Sequence, residues 1–317
     1  MSLVVCLHRE KDFLARLLDG SAGLYDDLVV VHDGPEDENS ESVSKPASFD
    51  PIATDFATLR PDSPLPIGYL EPAGPPQAGS IHELVVQHHG RFFEGPRCFQ
   101  QEPHWPFAWS RAQHDWILRL DADECPSEEL KVWLRAFRSD SEPAHDVSGY
   151  TCIWPLWNGR CTITKRWPPG RLFLFHKQRV RFFGMVEHVP TPDETTEPLP
   201  LILEHKPTRK SYGLRNLVLR PQAYSWRRVI AESLLKKPAD LPCWRCLGEE
   251  WPQVWEDIRS RPLRTALYRL AIWPLLIMRD MLRVEGRIIL AAAIPGGVHH
   301  CLIALNYWRL RRFTKEA

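Results

Sequence analysis

At 317 residues the chain is long enough for one large domain or a domain with an appendage, and 44% hydrophobic with 25% charged residues is the composition of a folded globular protein, not a disordered one. Forty basic residues balance forty acidic ones, so nothing global points to nucleic acid, although the end of the chain from Arg261 onward is rich in arginine. The eight scattered cysteines and the opening "MSLVVCLHRE", which lacks a charged leader and cleavage site, fit a reducing, cytoplasmic compartment. Cys243 and Cys246 in "CWRC" lack the second pair that a zinc site of this spacing needs.

The predicted elements follow in chain order. "LVVCL" (Leu3 to Leu7) is an apolar, β-branched run that reads as a strand. In "REKDFLARLLDG" behind it, Phe13, Leu14, Leu17 and Leu18 share one helical face and Gly20 suits the stop. "DDLVVVHDG" is a second strand ending in Asp33 and a turn glycine. Strand, helix and strand of these lengths make a βαβ unit and a parallel sheet, in which ligands bind beyond the carboxyl ends of the strands. Residues 35–80 turn polar and rich in Pro, Ser and acidic side chains, which predicts an insertion or a lid. "IHELVVQHHGRFFEG" predicts a helix running into a short strand, "HDWILRL" a strong strand, and "PSEELKVWLRAF" a helix whose Pro and two Glu suit its first turn. Between Gly149 and Pro190, "YTCIW", "RLFLFHK" and "VRFFGMV" predict antiparallel additions that wall a pocket. Beyond Tyr212 the pattern is helical.

The strand in "HDWILRL" runs straight into "DADE", three carboxylates in four residues. On extended backbone side chains alternate, so Asp121 and Asp123 would share one side, about 7 Å apart at Cα. Such a pair suits Mg²⁺ or Mn²⁺, which prefer oxygen ligands, and Mg²⁺ in particular keeps waters and phosphate oxygens besides one or two carboxylates. A turn whose charges favour the following helix accounts for the same residues.

"LVVCLHREKDFLARLL…YDDLVVVHDG" resembles the opening of family 2 glycosyltransferases of the GT-A fold. "ELVVQHHGRFFEGP…FAWSRAQHDWILRLDADECPSEEL" and "YTCIWPLWNGRCTITKRWPPGRLFLFHKQRVRFFGMVEHV" are similar to the corresponding blocks of the WaaE-like lipopolysaccharide core glucosyltransferase group. The resemblance covers most of residues 1–190. It implies transfer of a sugar, with inversion, from a nucleotide-sugar donor to a lipid-linked glycan acceptor, with the donor diphosphate on a metal held by Asp121 and Asp123. It places Asp33 on the nucleotide base, with Arg9 and Glu10 bordering that pocket, though Asp33 also suits a turn cap and Glu10 a helix start. Inversion requires a general base. The family carries His-Glu where this chain reads Glu187-His188, so Glu187 is the candidate base and His188 its partner or a substrate contact. Relatives also carry a basic residue and Asn ahead of the DXD strand, where "QQEPHWPFAW" leaves Gln101 and His104 as candidate donor contacts. Arg166 and Arg171 flank "WPPG", suited to phosphate or to solvent alike.

In the last third, Arg279, Arg283 and Arg287 recur at four-residue steps beside long apolar runs. Pro295, Gly296 and Gly297 interrupt the run that approaches membrane-spanning length, which favours amphipathic helices lying at a membrane surface. Helices packed on the rest of the protein or on a second subunit are the alternative. The expected organisation is therefore an α/β GT-A domain over residues 1–210 and a helical, membrane-proximal region over 211–317, peripheral on the cytoplasmic face. Two rivals remain: a sugar-phosphate nucleotidyltransferase, which would want a glycine-rich loop that "CLHREKDF" lacks, and a non-catalytic relative that binds glycan or scaffolds its assembly.

Overall fold

Ser2–Leu7 (β1) is buried at all six positions and Asp27–Asp33 (β2) at all seven, the continuous burial typical of parallel strands. Between them Lys11–Gly20 (α1) buries Leu14, Leu17 and Leu18. The structure, a computed structural model, describes residues 1–36, 55–139, 147–164, 170–245 and 250–315. It divides into two compact units: residues 1–152, 171–204 and 239–247 form the first, and 153–170, 205–238 and 248–317 the second.

The first unit is α/β, with an eight-stranded mixed sheet. β1 pairs in parallel with β2 on one side and with Trp116–Arg119 (β4) on the other. β2 pairs in parallel with Arg91–Gly95 (β3), which follows Ile81–Gln87 (α2). Ser80 starts that helix by accepting the Glu83 N–H at 2.9 Å, while the Glu83 carboxylate takes the Gly79 N–H. On the far side of β4 the sheet turns antiparallel through Arg171–His176 (β7) and Gly149–Ile153 (β6). It ends with Thr196–His205 (β10) and Glu124–Pro126 (β5), in the order β3-β2-β1-β4-β7-β6-β10-β5. Glu128–Ser139 (α4) follows β5. A smaller antiparallel sheet joins Val180–Phe183 (β8), Thr191–Pro192 (β9) and Cys243–Trp244 (β11). The parallel half, its βαβ unit and the antiparallel additions are those the sequence predicts, an arrangement compatible with a Rossmann-like fold.

Trp105–Arg111 (α3) is buried at all seven positions, and its Phe107 and Trp109 sit in one cluster with Val4, Val29, Phe93 and Phe182. Residues 37–54 of the expected lid lie outside the described residues; 55–80 form a packed strap. Phe56 and Tyr69 enter that same cluster, and Leu70 and Glu94 exchange N–H···O bonds at 2.9 Å. Arg111 fixes the intervening turn by donating to the carbonyls of Pro61, Ser63 and Pro64.

The second unit carries Pro221–Ser233 (α5), Gln253–Ser260 (α6), Pro262–Ala271 (α7), Trp273–Glu285 (α8) and Leu290–Lys315 (α9). α9 continues through Pro295 as one helix. Gly297 is closely packed, since a Cβ there would lie 2.6 Å from both the Arg269 carbonyl and Pro274 Cγ. No described helix is long and apolar enough to cross a membrane.

Candidate functional site

The carboxyl ends of the parallel strands gather most of the residues singled out by the sequence, with a change of geometry at the acidic stretch. β4 ends at Arg119, and Asp121 to Glu124 form a tight turn closed by the Glu124 N–H on the Asp121 carbonyl at 2.9 Å. Strand alternation therefore cannot be what aligns Asp121 with Asp123. The Glu124 carboxylate, 1% exposed, folds back to accept the Asp121 N–H at 2.8 Å. Arg171, at the start of β7, reaches Asp121 Oδ2 at 2.6 Å and Glu124 Oε1 at 3.1 Å. Burial works against the Arg171 charge, but the two carboxylates outweigh it and hold the guanidinium above its ordinary value. Arg171, for which the sequence left phosphate and solvent open, is thus the counter-ion of the acidic turn.

Behind this turn lies Arg119, 1% exposed, with its Cζ 4.2 Å from the Trp105 ring centre and Nη2 donating to the Leu172 carbonyl at 3.1 Å. Burial, and then repulsion from Arg171, brings it down to about 9.

Glu102 is the titratable group that the sequence reading passed over, between its own candidates Gln101 and His104. Its carboxylate accepts the Glu187 N–H at 3.2 Å. Burial, reinforced by repulsion from Asp121 and Glu187 and opposed by two backbone N–H groups, pushes it up to about 7. Close packing fixes the pairing: a Cβ on Gly184 would stand 2.9 Å from Pro103 Cα and from the Pro242 carbonyl. Glu187 itself is exposed, at φ 61° in the left-handed region, a conformation that costs a non-glycine residue roughly 1–3 kcal/mol and recurs at functional sites. His188, expected beside the base, is instead 5% exposed and stacked on Phe182 with centroids 5.4 Å apart. Burial pulls it down to about 3, so the ring is neutral near physiological pH and a poor proton acceptor.

Asp33 ends β2 as predicted, but its carboxylate is 1% exposed and turned inward. It accepts the N–H groups of Cys98 and Phe99 at 2.5 and 2.8 Å and faces His104 Nε2 at 3.0 Å. Burial alone would raise its pKa; the hydrogen bond and charge of His104 and the Cys98 N–H bring it below the ordinary carboxylate value. His104 in turn meets the Tyr69 hydroxyl through Nδ1 at 3.3 Å, and only glycine fits at position 95, where a Cβ would lie 2.7 Å from the His104 ring. The result is a rigid loop that holds Phe99 at φ 59° and 45% exposed on the rim, with Arg97 5.8 Å from its ring centre. Nothing in the local sequence pattern marks Phe99 as an exposed aromatic ring on a strained backbone.

Among the described residues, Asp33, Cys98 and His104 place potential ligand atoms within 4.8 Å of one another. Hydrogen bonds already occupy that set, and burial followed by the Asp33 charge keeps the Cys98 thiol well above its ordinary value, away from the thiolate a metal needs. Asp121, Asp123 and Glu124 do not converge as tightly, yet their oxygen donors are of the type Mg²⁺ and Mn²⁺ take. Glu10 closes the loop after β1 by accepting the N–H groups of His8 and Arg9, both at 2.9 Å, while the Arg9 side chain is exposed. Gln101 is half-buried ahead of α3 and accepts the His104 N–H through its carbonyl. Arg166 and Cys246 lie outside the described residues.

No protein-family model matches the chain, and no match is found among the curated proteins.

Proposed function

We propose that the first unit is a GT-A-type inverting glycosyltransferase that moves a sugar from a nucleotide-sugar donor to a lipid-linked glycan, of which lipopolysaccharide core is one example. The observation that carries the reading is the Asp121–Glu124 turn clamped by Arg171 at the carboxyl end of β4, with Glu102 close enough for its charge to be felt. Ligands of such sheets bind at this end.

Asp33 then acts on the nucleotide through the loop it pins, with Phe99 as the surface on which a base stacks. Arg171 occupies one oxygen of Asp121 and both of Glu124. A Mg²⁺ or Mn²⁺ ion would be held by Asp121 and Asp123, with phosphate oxygens completing its shell. When bound it would neutralise charge on the departing diphosphate. The base is a carboxylate of the Glu102–Glu187 pair, and Glu102, held near 7, has the basicity for the task. In the transfer, an acceptor hydroxyl gives its proton to that carboxylate and its oxygen bonds the anomeric carbon. The bond from that carbon to the donor phosphate oxygen breaks, and the electron pair leaves with the nucleoside diphosphate.

A lipid-borne acceptor accords with the second unit, where α7 and α8 expose Leu267, Leu270, Ile272 and Leu275 beside Arg264, Arg279 and Arg283. Apolar side chains fringed by arginine are suited to an anionic membrane surface. The reading is tested by screening nucleotide sugars with Mn²⁺ for slow hydrolysis by the wild-type chain and Asp123→Ala. Turnover of one donor, lost with the metal and in the variant, is the expected result. No donor turned over, or turnover indifferent to both, overturns it.

A further inference from the structure

The arginines of α7 do more than fringe an apolar face. Between α6, α7 and α8 lies a cavity of about 530 Å³ whose lining includes Arg261, Arg264 and Arg269 against the single carboxylate of Asp257. Asp257 is partly satisfied already, because Gln253 donates to its Oδ1 at 2.6 Å. Arg269 is the decisive group. It is 5% exposed, its Cζ stands 4.1 Å from the Trp273 ring centre, and its Nε has no hydrogen-bond partner. Among the described residues no ion pair neutralises it.

A guanidinium buried in this way is costly unless an anion completes it. Trp273 fixes the plane of its fork, and planar forks match the paired oxygens of phosphate. Three arginines around one carboxylate leave a net charge of about +2, the complement of a phosphate monoester near neutral pH. The hydroxyl of Tyr268, on the same wall, adds a neutral donor. We infer that this cavity binds a phosphate-bearing group, with Arg269 at its base and Arg261 and Arg264 at its mouth. The cavity shares Arg264 with the surface read above as facing a membrane, but it uses none of the residues of the first unit that carry the sugar-transfer reading. The exposed leucines of α7 and α8 flank the same helices, so the phosphate has two sources to be told apart, a lipid headgroup and a free phosphate.

The test uses the full chain and two probes. Vesicle co-sedimentation compares phosphatidylcholine containing phosphatidate with phosphatidylcholine containing oleate at equal surface charge, and calorimetry measures inorganic phosphate directly. Phosphatidate vesicles are expected to bind about tenfold tighter than oleate vesicles, with the difference lost in Arg269→Gln, as the removal of a charge-assisted bond predicts. Because Arg269 is buried, Arg264→Gln provides an exposed second variant that keeps the fold and is expected to lose part of the same difference. Inorganic phosphate binding that both variants weaken identifies a free phosphate as sufficient; preference for phosphatidate without it identifies a headgroup. Equal binding to both vesicle types together with no phosphate heat, or unchanged binding in both variants, overturns the site.

Discussion

Replacing Glu102 by glutamine removes a charge from a carboxyl of the proposed site that burial holds well above its ordinary value, while leaving an oxygen to accept the Glu187 N–H. The group rises from 4.5 to about 7 on folding, a change of about 2.5. At about 1.36 kcal/mol for each, this amounts to roughly 3 kcal/mol at most. A carboxyl whose folded pKa lies above its unfolded one contributes stability that is complete below about 4.5 and lost as the pH rises through about 7. Wild type at pH 8 therefore carries the whole cost of the buried charge, and Glu102→Gln carries none. The variant should be the more stable protein at pH 8, by about 2 kcal/mol once local relaxation is allowed for, and the gap should close toward pH 4.5. Urea midpoints multiplied by their slopes, measured for both proteins at matched pH, supply the difference. A gap that does not change with pH, or a wild type more stable at pH 8, would refute the reasoning. If Glu102 is also the base, the same variant should lose turnover while keeping donor affinity.

Two further outcomes follow from the same geometry. Arg171→Met strands the Glu124 carboxylate, 1% exposed, beside Asp121, and should destabilise the chain by about 3–5 kcal/mol in urea unfolding; Glu124→Gln in the same background should restore part of it. Phe99→Ala should weaken nucleoside diphosphate binding about tenfold in calorimetry, on a stacking contribution of order 1–1.5 kcal/mol, while leaving the unfolding midpoint nearly unchanged because the ring is exposed.

The parallel half of the sheet was legible because Leu3 to Leu7 and Leu28 to Val31 are buried without alternation, a pattern set by local sequence. The position of the acidic stretch was legible too, since it follows directly on the apolar run of "HDWILRL". What escaped depends on partners far along the sequence. Asp33 takes its hydrogen bonds from Cys98 and Phe99, and Glu102 owes its environment to Glu187 and to the tight approach at Gly184, none of which a local pattern encodes. The helix Trp105–Arg111 is buried all round and so has no polar face to mark its period. The turn at Asp121 reflects Glu124 reaching back to a backbone N–H, a choice that strand alternation does not foresee. Pro295 interrupts the last apolar run of the sequence, and no described helix is long and apolar enough to cross a membrane, but α9 itself continues through that proline, with Gly297 closely packed.

The central claim is that carboxylates at the end of β4 grip a cation on a nucleoside diphosphate. Calorimetry of uridine and guanosine diphosphates against the full chain, with and without Mn²⁺, tests it most directly. The account predicts binding strengthened by Mn²⁺ at least tenfold for one of them, and that gain abolished in Asp123→Ala. Binding that ignores the metal, or an Asp123→Ala protein that responds to it as the wild type does, would contradict the account and favour a non-catalytic relative that binds glycan or scaffolds its assembly.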